Sequence, residues 1–327
     1  MKLIRHLIRH AAACLLFLLT PALGSAAAPS WPGDLTTIVV GYPPGSGMDT
    51  VARFLADQLN KKTGHPFVVE NKAGALGRLG AGHVAKAKPD GSVMLLHPAS
   101  LVLYPFLFKD VPFDPVKDVA AVTTVSKVYY VLIVNPAVVK ADTVKELTAY
   151  IKNAPGKTAY GSGAANPEIA GGSYQMLAGL DSVNVRYTGV PAALTDLLGG
   201  RLHFMFADTS LAMPHIRRGT IKALAVAASN RMITEPEIPT MVEAGVGGFG
   251  DFSSWMGMFF PAGTPMPIRQ KLSGLLNEIM ATEEGKALLP RLGMEPFSSD
   301  PASTQAFIAH EFERYKKLTK ELGIEQR

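Results

Sequence analysis

Thiols are almost absent from this sequence, which has a single cysteine, Cys14, in 327 residues. One cysteine cannot form an intrachain disulfide, so a small cross-linked scaffold is excluded. Charge is also sparse, at 18% of residues, and the basic residues are scattered without a Lys/Arg-rich run. The electrostatic footprint of a nucleic-acid binder is therefore missing. Beyond the N-terminus no apolar stretch approaches the ~18 consecutive residues that a membrane-spanning helix needs. Catalytic signatures are lacking too. There is no G-x-S-x-G elbow and no H-E-x-x-H pair, and the histidines after the N-terminal segment (His65, His83, His97, His203, His215 and His310) have no ligand spacing. No repeat or low-complexity linker is present.

What is present is an apolar chain, 47% hydrophobic, with a formal net charge of +5. Three of those excess charges, Lys2, Arg5 and Arg9, lie in the first 28 residues. There they precede the apolar run Ala11 to Leu19, the breaker Pro21 and the small residues Gly24 to Ala28. That three-part pattern reads as a secretory signal peptide over residues 1–28. Removing it leaves 29 basic against 27 acidic residues, a charge of +2, and takes away Cys14. The mature chain then has neither a thiol nucleophile nor a thiolate metal site.

The body alternates strand-like and helix-like segments. Thr36 to Tyr42 reads as a buried strand, and Met48 to Lys62 as a helix with Val51, Phe54, Leu55 and Leu59 on one face. Strands are expected near Pro66–Glu70 and Ser92–His97, with a helix over Leu76–Ala87 between them. After a β-rich stretch, Val119 to Val134, the rhythm resumes. Helices are expected over Val144–Lys152, Ile169–Ala178, Ala192–Leu198 and Met213–Arg218. Strands are expected at Thr158–Tyr160, Val183–Tyr187, Phe204–Ala207 and Ile221–Ala227. A return strand, Phe252 to Phe260, precedes three C-terminal helices, Ile268–Ala281, Glu283–Leu292 and Ala302–Leu322. Strands separated by single helices indicate parallel βαβ units. The expectation is an α/β protein of two lobes, each a mostly parallel sheet flanked by helices. Residues 29–124 and 252–327 form lobe I and residues 125–251 form lobe II. The cleft between the lobes is the default ligand site, because open parallel sheets bind beyond their strand carboxyl ends.

Three turns at such ends stand out. Gly41-Tyr42-Pro43-Pro44-Gly45-Ser46-Gly47-Met48-Asp49 leads from a strand into a helix. It matches neither G-x-G-x-x-G nor the P-loop. Its glycines either aim backbone N–H groups at an anion beside a helix N-terminus, or form an ordinary turn capped by Ser46 or Asp49. Asn71 to Arg78 is a second such turn, in which Arg78 either pairs with an anion or is solvated. Gly161 to Asn166 is the third. His97 ends a strand beside the cleft and is either satisfied or simply exposed. Asp208 either faces the cleft or caps the following helix. Trp255, Met256 and Met258 read as packing.

Taken in order, the segments resemble the Bug family of periplasmic solute-binding proteins, the receptors of tripartite tricarboxylate transporters. The resemblance runs from Trp31-Pro32 to Gly323-Ile324. Its markers are Tyr42-Pro43-Pro44-Gly45 with Asp49, Val68-Val69-Glu70-Asn71 with Gly74, and Ala85-Lys86-Ala87 with Pro89-Asp90-Gly91. Pro112-Phe113-Asp114-Pro115, Val134-Asn135-Pro136 and Pro191-Ala192-Ala193-Leu194 with Asp196 to Gly200 follow. Pro214-His215-Ile216, Pro239-Thr240, Glu243-Ala244-Gly245 and Pro261 to Pro265 complete the pattern.

The resemblance implies a Venus-flytrap fold closing on a small organic acid, with no catalysis, no metal and no cofactor. Carried over, Gly45, Ser46 and Gly47 in lobe I and Ser162 and Gly163 in lobe II hold the carboxylate. Tyr42, Ala99, Ser100, Asn166 and Asp208 complete the expected pocket. The departures from the family pattern are Ser46 and Met48 in the first turn, His97-Pro98-Ala99-Ser100, a short loop from Gly161 to Asn166, and Glu168 where His is frequent. Glu168 and Asp208 are candidates to accept from a ligand amine or hydroxyl. The expected product is a monomeric periplasmic receptor working with membrane transporter subunits. The alternatives are a ligand-sensing partner of a membrane kinase and a secreted hydrolase.

Overall fold

Two sheets organise the chain, which we describe from a computed structural model for residues 31–324 and Gln326. The expected signal peptide and Cys14 lie outside the described residues. Trp31 belongs to a separate N-terminal unit, and the fold below starts at Pro32. No described helix is long and apolar enough to cross a membrane.

The first sheet is built on β1 (Thr36–Val40), β2 (Phe67–Asn71) and β3 (Val93–Pro98), with β1 parallel to both neighbours. Its order is completed by β4 (Val119–Val128), β10 (Ser254–Pro261) and β11 (Met294–Pro296), giving β11-β4-β10-β3-β1-β2. The second sheet is ordered β7-β6-β8-β5-β9 from β5 (Tyr130–Val134), β6 (Thr158–Ser162), β7 (Ser182–Arg186), β8 (Phe204–Asp208) and β9 (Lys222–Val226). Here β6 runs parallel to β7 and β8. The α/β two-lobed class therefore stands, but each sheet is mixed rather than mostly parallel. The return strand β10 is antiparallel to β3 and β4, and β5 is antiparallel to β8 and β9. A strand that arrives from the other sheet enters at the crossover edge, where its neighbours end, so it must run against them.

Helices cover the sheets for the reasons their sequences suggest. α1 (Gly47–Thr63) buries Val51, Leu55 and Leu59 and ends on Gly64, whose φ of 71° suits a left-handed cap. Burying three such side chains supplies roughly 5–9 kcal/mol before entropy is charged. α2 (Arg78–Ala85) follows a short 3₁₀ turn, and α3 (Ser100–Leu107) follows β3. In the second sheet α4 (Val144–Lys152) opens with a capping box, Thr143 with Glu146. α5 (Ala165–Ala178), α6 (Val190–Leu198) and α7 (Thr209–Arg217) follow β6, β7 and β8. α8 (Met266–Met280), α9 (Glu283–Arg291) and α10 (Pro301–Glu321) close the chain.

Only Tyr129 separates β4 in the first sheet from β5 in the second. The chain returns through residues 227–253, pinned where Ala227 N donates to Tyr130 O (2.8 Å) and Phe252 N donates to Ala227 O (2.9 Å). α10 is a further link. Its Gln305 side chain accepts from Ala121 N of β4, while Leu322, just past its end, lies against Gly172 of α5. One apolar core runs through both sheets as a result, from Val39 and Leu95 to Phe204 and Phe206.

Candidate functional site

The carboxyl ends of both parallel strand sets meet at the crossover. Asn166 at the start of α5 donates to Phe252 O of the return segment (3.1 Å), and Thr209 Oγ1 donates to Gly293 O beside β11 (2.5 Å). The expected site residues lie on these ends.

On the first sheet, Asp49 organises the turn that leads into α1. Its carboxylate, in a residue only 3% exposed, accepts from Gly45 N (2.9 Å), Arg53 Nε (3.0 Å) and Asn71 Nδ2 (2.9 Å). Burial pushes its pKa up, but those donors outweigh it and hold the carboxyl below its ordinary value. Asn71 Nδ2 also donates to Tyr42 O (3.0 Å), tying the second turn to the first. Ser46 Oγ accepts from Asp49 N (3.2 Å) as the N-cap of α1. Gly45, at φ 80°, and Ser46 are thus occupied in building the turn. Gly47 opens α1 with Met294 packed over it, where an added Cβ would sit 3.3 Å from the Met294 methyl.

The floor beneath this turn is aromatic and hydroxylic. Tyr42 Oη lies 3.3 Å from Ser100 Oγ, beside the fully buried Ala99. Tyr104 donates to His97 Nε2 (3.0 Å), and His97 Nδ1 donates to Pro98 O (3.0 Å). Of the two alternatives, His97 is thus the satisfied, buried histidine, and burial lowers its pKa to about 4. Gly77, at φ 93°, fits here because a Cβ would come within 2.8 Å of His97 Nε2. Arg78 is partly exposed and is held by its own neighbours. It donates to Asp110 O (2.6 Å) and lies over the Phe108 ring.

On the second sheet, Ser162 is buried and its Oγ donates to Asn184 Oδ1 (2.8 Å), so its side chain is not offered to a ligand. Asn166 is likewise committed to Phe252. Gly163 is where the backbones converge, since an added Cβ would fall 2.3 Å from both Gly189 C and Val190 N. The N-termini of α5 and α6 therefore lie side by side, and neither Ala164 nor Gly189 supplies a side-chain cap. The sequence placed this second helix start two residues late, at Ala192, and did not mark Gly189 as part of the site. The signal was Gly189 just ahead of Val190-Pro191, the proline position favoured in a first helical turn. Glu168 is engaged by Arg186, whose Nε and Nη2 both reach its Oε1 at 2.7 Å.

Of the two readings of Asp208, the structure shows the helix cap. It caps α7 by accepting from Leu211 N (3.1 Å), with Ser210 Oγ also donating to it. It also pairs across the sheet with Tyr130 at the crossover. Burial raises its pKa above the ordinary carboxylate value. Tyr130, not singled out in the sequence, is raised by burial and then by Asp208, Tyr315 and Tyr42. Among the described residues, no group of three or more His, Cys, Asp or Glu side chains is placed to hold a metal ion.

Residues 51–324 match the family described as the tripartite tricarboxylate transporter family receptor. The chain belongs to that family. It is similar to protein BugT of Bordetella pertussis (strain Tohama I), with 31% identity over 313 residues, covering 94% of this receptor and 95% of BugT. Its structure is similar to that of the periplasmic binding protein BugD, with 30% identity and a TM-score of 0.77 over 91% of this receptor and all of BugD. It is also similar to R. palustris Rpa4515 with adipate, with 27% identity and a TM-score of 0.80 over 91% of this receptor and all of that chain. The receptor is thus a Bug-family solute-binding protein with the periplasmic binding protein fold.

Proposed function

We propose that this receptor captures a small organic carboxylate between its two lobes in the periplasm and delivers it to a tripartite transporter in the membrane. The observation that carries this reading is the pair of uncapped helix N-termini at Gly163. Free N–H groups at helix starts carry partial positive charge, and two adjacent starts form a ready seat for an anion. Exclusion of water on closure strengthens such hydrogen bonds. The Asp49-braced turn, with Tyr42 and Ser100 on the floor below it, is the opposing wall. No catalytic role is assigned, since the buried His97 and the capping Ser46 have no nucleophile–base arrangement between them. The adipate bound by Rpa4515 supports the class of ligand, not its identity.

A thermal-shift screen against organic acids tests the reading, because a ligand that binds only the folded form raises the midpoint. At one hundred times its Kd a ligand adds about 2.7 kcal/mol. A rise with carboxylates and none with their amides is expected. A panel in which acids and amides shift the midpoint equally contradicts the anion seat.

A further inference from the structure

We infer that Gly293 is the stop that sets how far the lobes close, and that the receptor shuts fully only because residue 293 carries no side chain. The inference goes beyond the capture of a solute to the device that fixes the closed angle. Gly293 lies between α9 and β11, at the edge of the first sheet. It sits against the start of α7, on the side of the second sheet. An added Cβ at Gly293 would fall 2.7 Å from both Ser210 Cα and Ser210 N, and 3.0 Å from Thr209 C. Those atoms are backbone and cannot swing aside as the end of a side chain can. The Gly293 carbonyl accepts from Thr209 Oγ1 (2.5 Å), while Thr209 N donates to Tyr129 O (3.0 Å). Thr209 therefore ties the contact directly to the residue that separates the two sheets.

Position gives this contact its leverage. β11 runs antiparallel to the end of β4 with Met294 opposite Val128, so Gly293 comes level with Tyr129 at the crossover. A contact close to a pivot moves little when the lobes turn. A gap the width of a methyl group there becomes a much wider gap at the cleft mouth. The contact is also one that can part. A cavity of about 130 Å³ opens beside it, lined by Ser210, Met213, Thr234 and Arg291. The touch is therefore narrow, and its hydrogen bond has a small net worth because water replaces it on opening. The apolar core that runs through both sheets has no such substitute and stays joined. A small change at the stop thus shifts the balance of open and shut forms, and the apparent Kd rises in proportion as the shut fraction falls.

Pulsed electron–electron spin resonance on the ligand-free receptor measures the closure. The chain after residue 28 has no cysteine. Ala73→Cys and Thr188→Cys therefore carry the only two spin labels, at exposed positions just beyond β2 and β7. Gly219→Ala is the control, because Gly219 shares the left-handed backbone (φ 71° against 65° at Gly293) but has nothing within 4 Å of an added Cβ. Gly293→Ala is expected to shift the interlobe distance to longer values, and Gly219→Ala to leave it where it is. Thr209→Val keeps the shape and removes the hydroxyl, and is expected to give a smaller shift in the same direction. Urea unfolding of each variant shows that it is folded. An unchanged distance in Gly293→Ala, or in Thr209→Val should Gly293→Ala not fold, overturns the assignment, as does an equal shift in Gly219→Ala. No solute enters the measurement, so its outcome is separate from that of the acid screen on which the carboxylate reading depends.

Discussion

At the scale of single residues, two buried polar groups set what this receptor tolerates. Asp49 satisfies three donors drawn from the turn, its own helix and the neighbouring strand end. Asp49→Ala leaves the Gly45 N–H and the Asn71 amide without their acceptor and frees Arg53. A destabilisation of about 2–4 kcal/mol is expected, read as a fall in the urea midpoint at constant slope. An unchanged midpoint would mean that the turn holds itself. His97 governs acid sensitivity. Its folded pKa, about 4, lies below the ordinary value of 6.5. As pH falls through that window the unfolded chain takes up a proton that the folded chain refuses. Stability is therefore intact above about pH 6.5 and drains away toward pH 4, by on the order of 3 kcal/mol. Urea midpoints from pH 4 to 7 are expected to show this slope, and His97→Gln is expected to flatten it while lowering stability overall. A slope that survives the substitution assigns the acid sensitivity to another group.

At the scale of elements, the central device is the contact of the α5 and α6 starts at Gly163. A methyl group there would have to displace backbone, not a flexible side chain. Gly163→Ala is therefore expected to weaken carboxylate binding by at least about tenfold, corresponding to about 1.4 kcal/mol. Gly47→Ala meets only a methionine methyl and is expected to cost far less. Comparable losses at the two sites would move the seat toward the first lobe.

This scale also shows how far the sequence could be read. Helix 144–152 was legible because Thr143 and Glu146 form its capping box and Pro155-Gly156 stops it. Helix 100–107 was not, since Leu101, Val102, Leu103 and Tyr104 are all buried. That run has no amphipathic period to detect, and Pro105 within it reads as a breaker. The start of α5 was placed late, at Ile169, because Pro167 obscured it. A proline in the first turn removes an N–H that has no intrahelical partner in any case. The three βα turns were visible as glycine-rich loops. What their side chains do was not, because Asp49 meets Asn71 and Ser162 meets Asn184 across 22 residues of sequence. Pairings between strands leave no trace in local spacing, so Ser162 looked free when it was committed, whereas the cap at Ser46 is local and was readable as one alternative.

At the scale of the whole molecule, the two sheets share a core and are bridged at several points. Glu295, in the middle of β11, accepts from Ile233 N (2.7 Å) and Thr234 N (3.2 Å) of the second lobe. Lys127 pairs with Asp251 at the return segment (3.3 Å). We propose that the crossovers near Tyr129 and Phe252 are the pivots about which the lobes open and close; because β4 stays in the first sheet through Val128, the first boundary falls at Tyr129 and not at the expected residue 125. Small-angle scattering is expected to show a smaller radius of gyration with a bound carboxylate than without one. Identical profiles would argue for a permanently shut cleft. Without the 28 residues that the sequence reads as a signal peptide the chain carries +2 by count, which fits a picture in which anion affinity comes from local backbone dipoles and not from a global field.

The account turns on that local seat, and one measurement tests it most directly: calorimetric titration of the receptor with its best carboxylate from the screen and with the corresponding amide. Loss of the anionic charge is expected to cost at least about tenfold in affinity, and Gly163→Ala is expected to abolish most of that difference. An amide that binds as tightly as the acid would contradict the account.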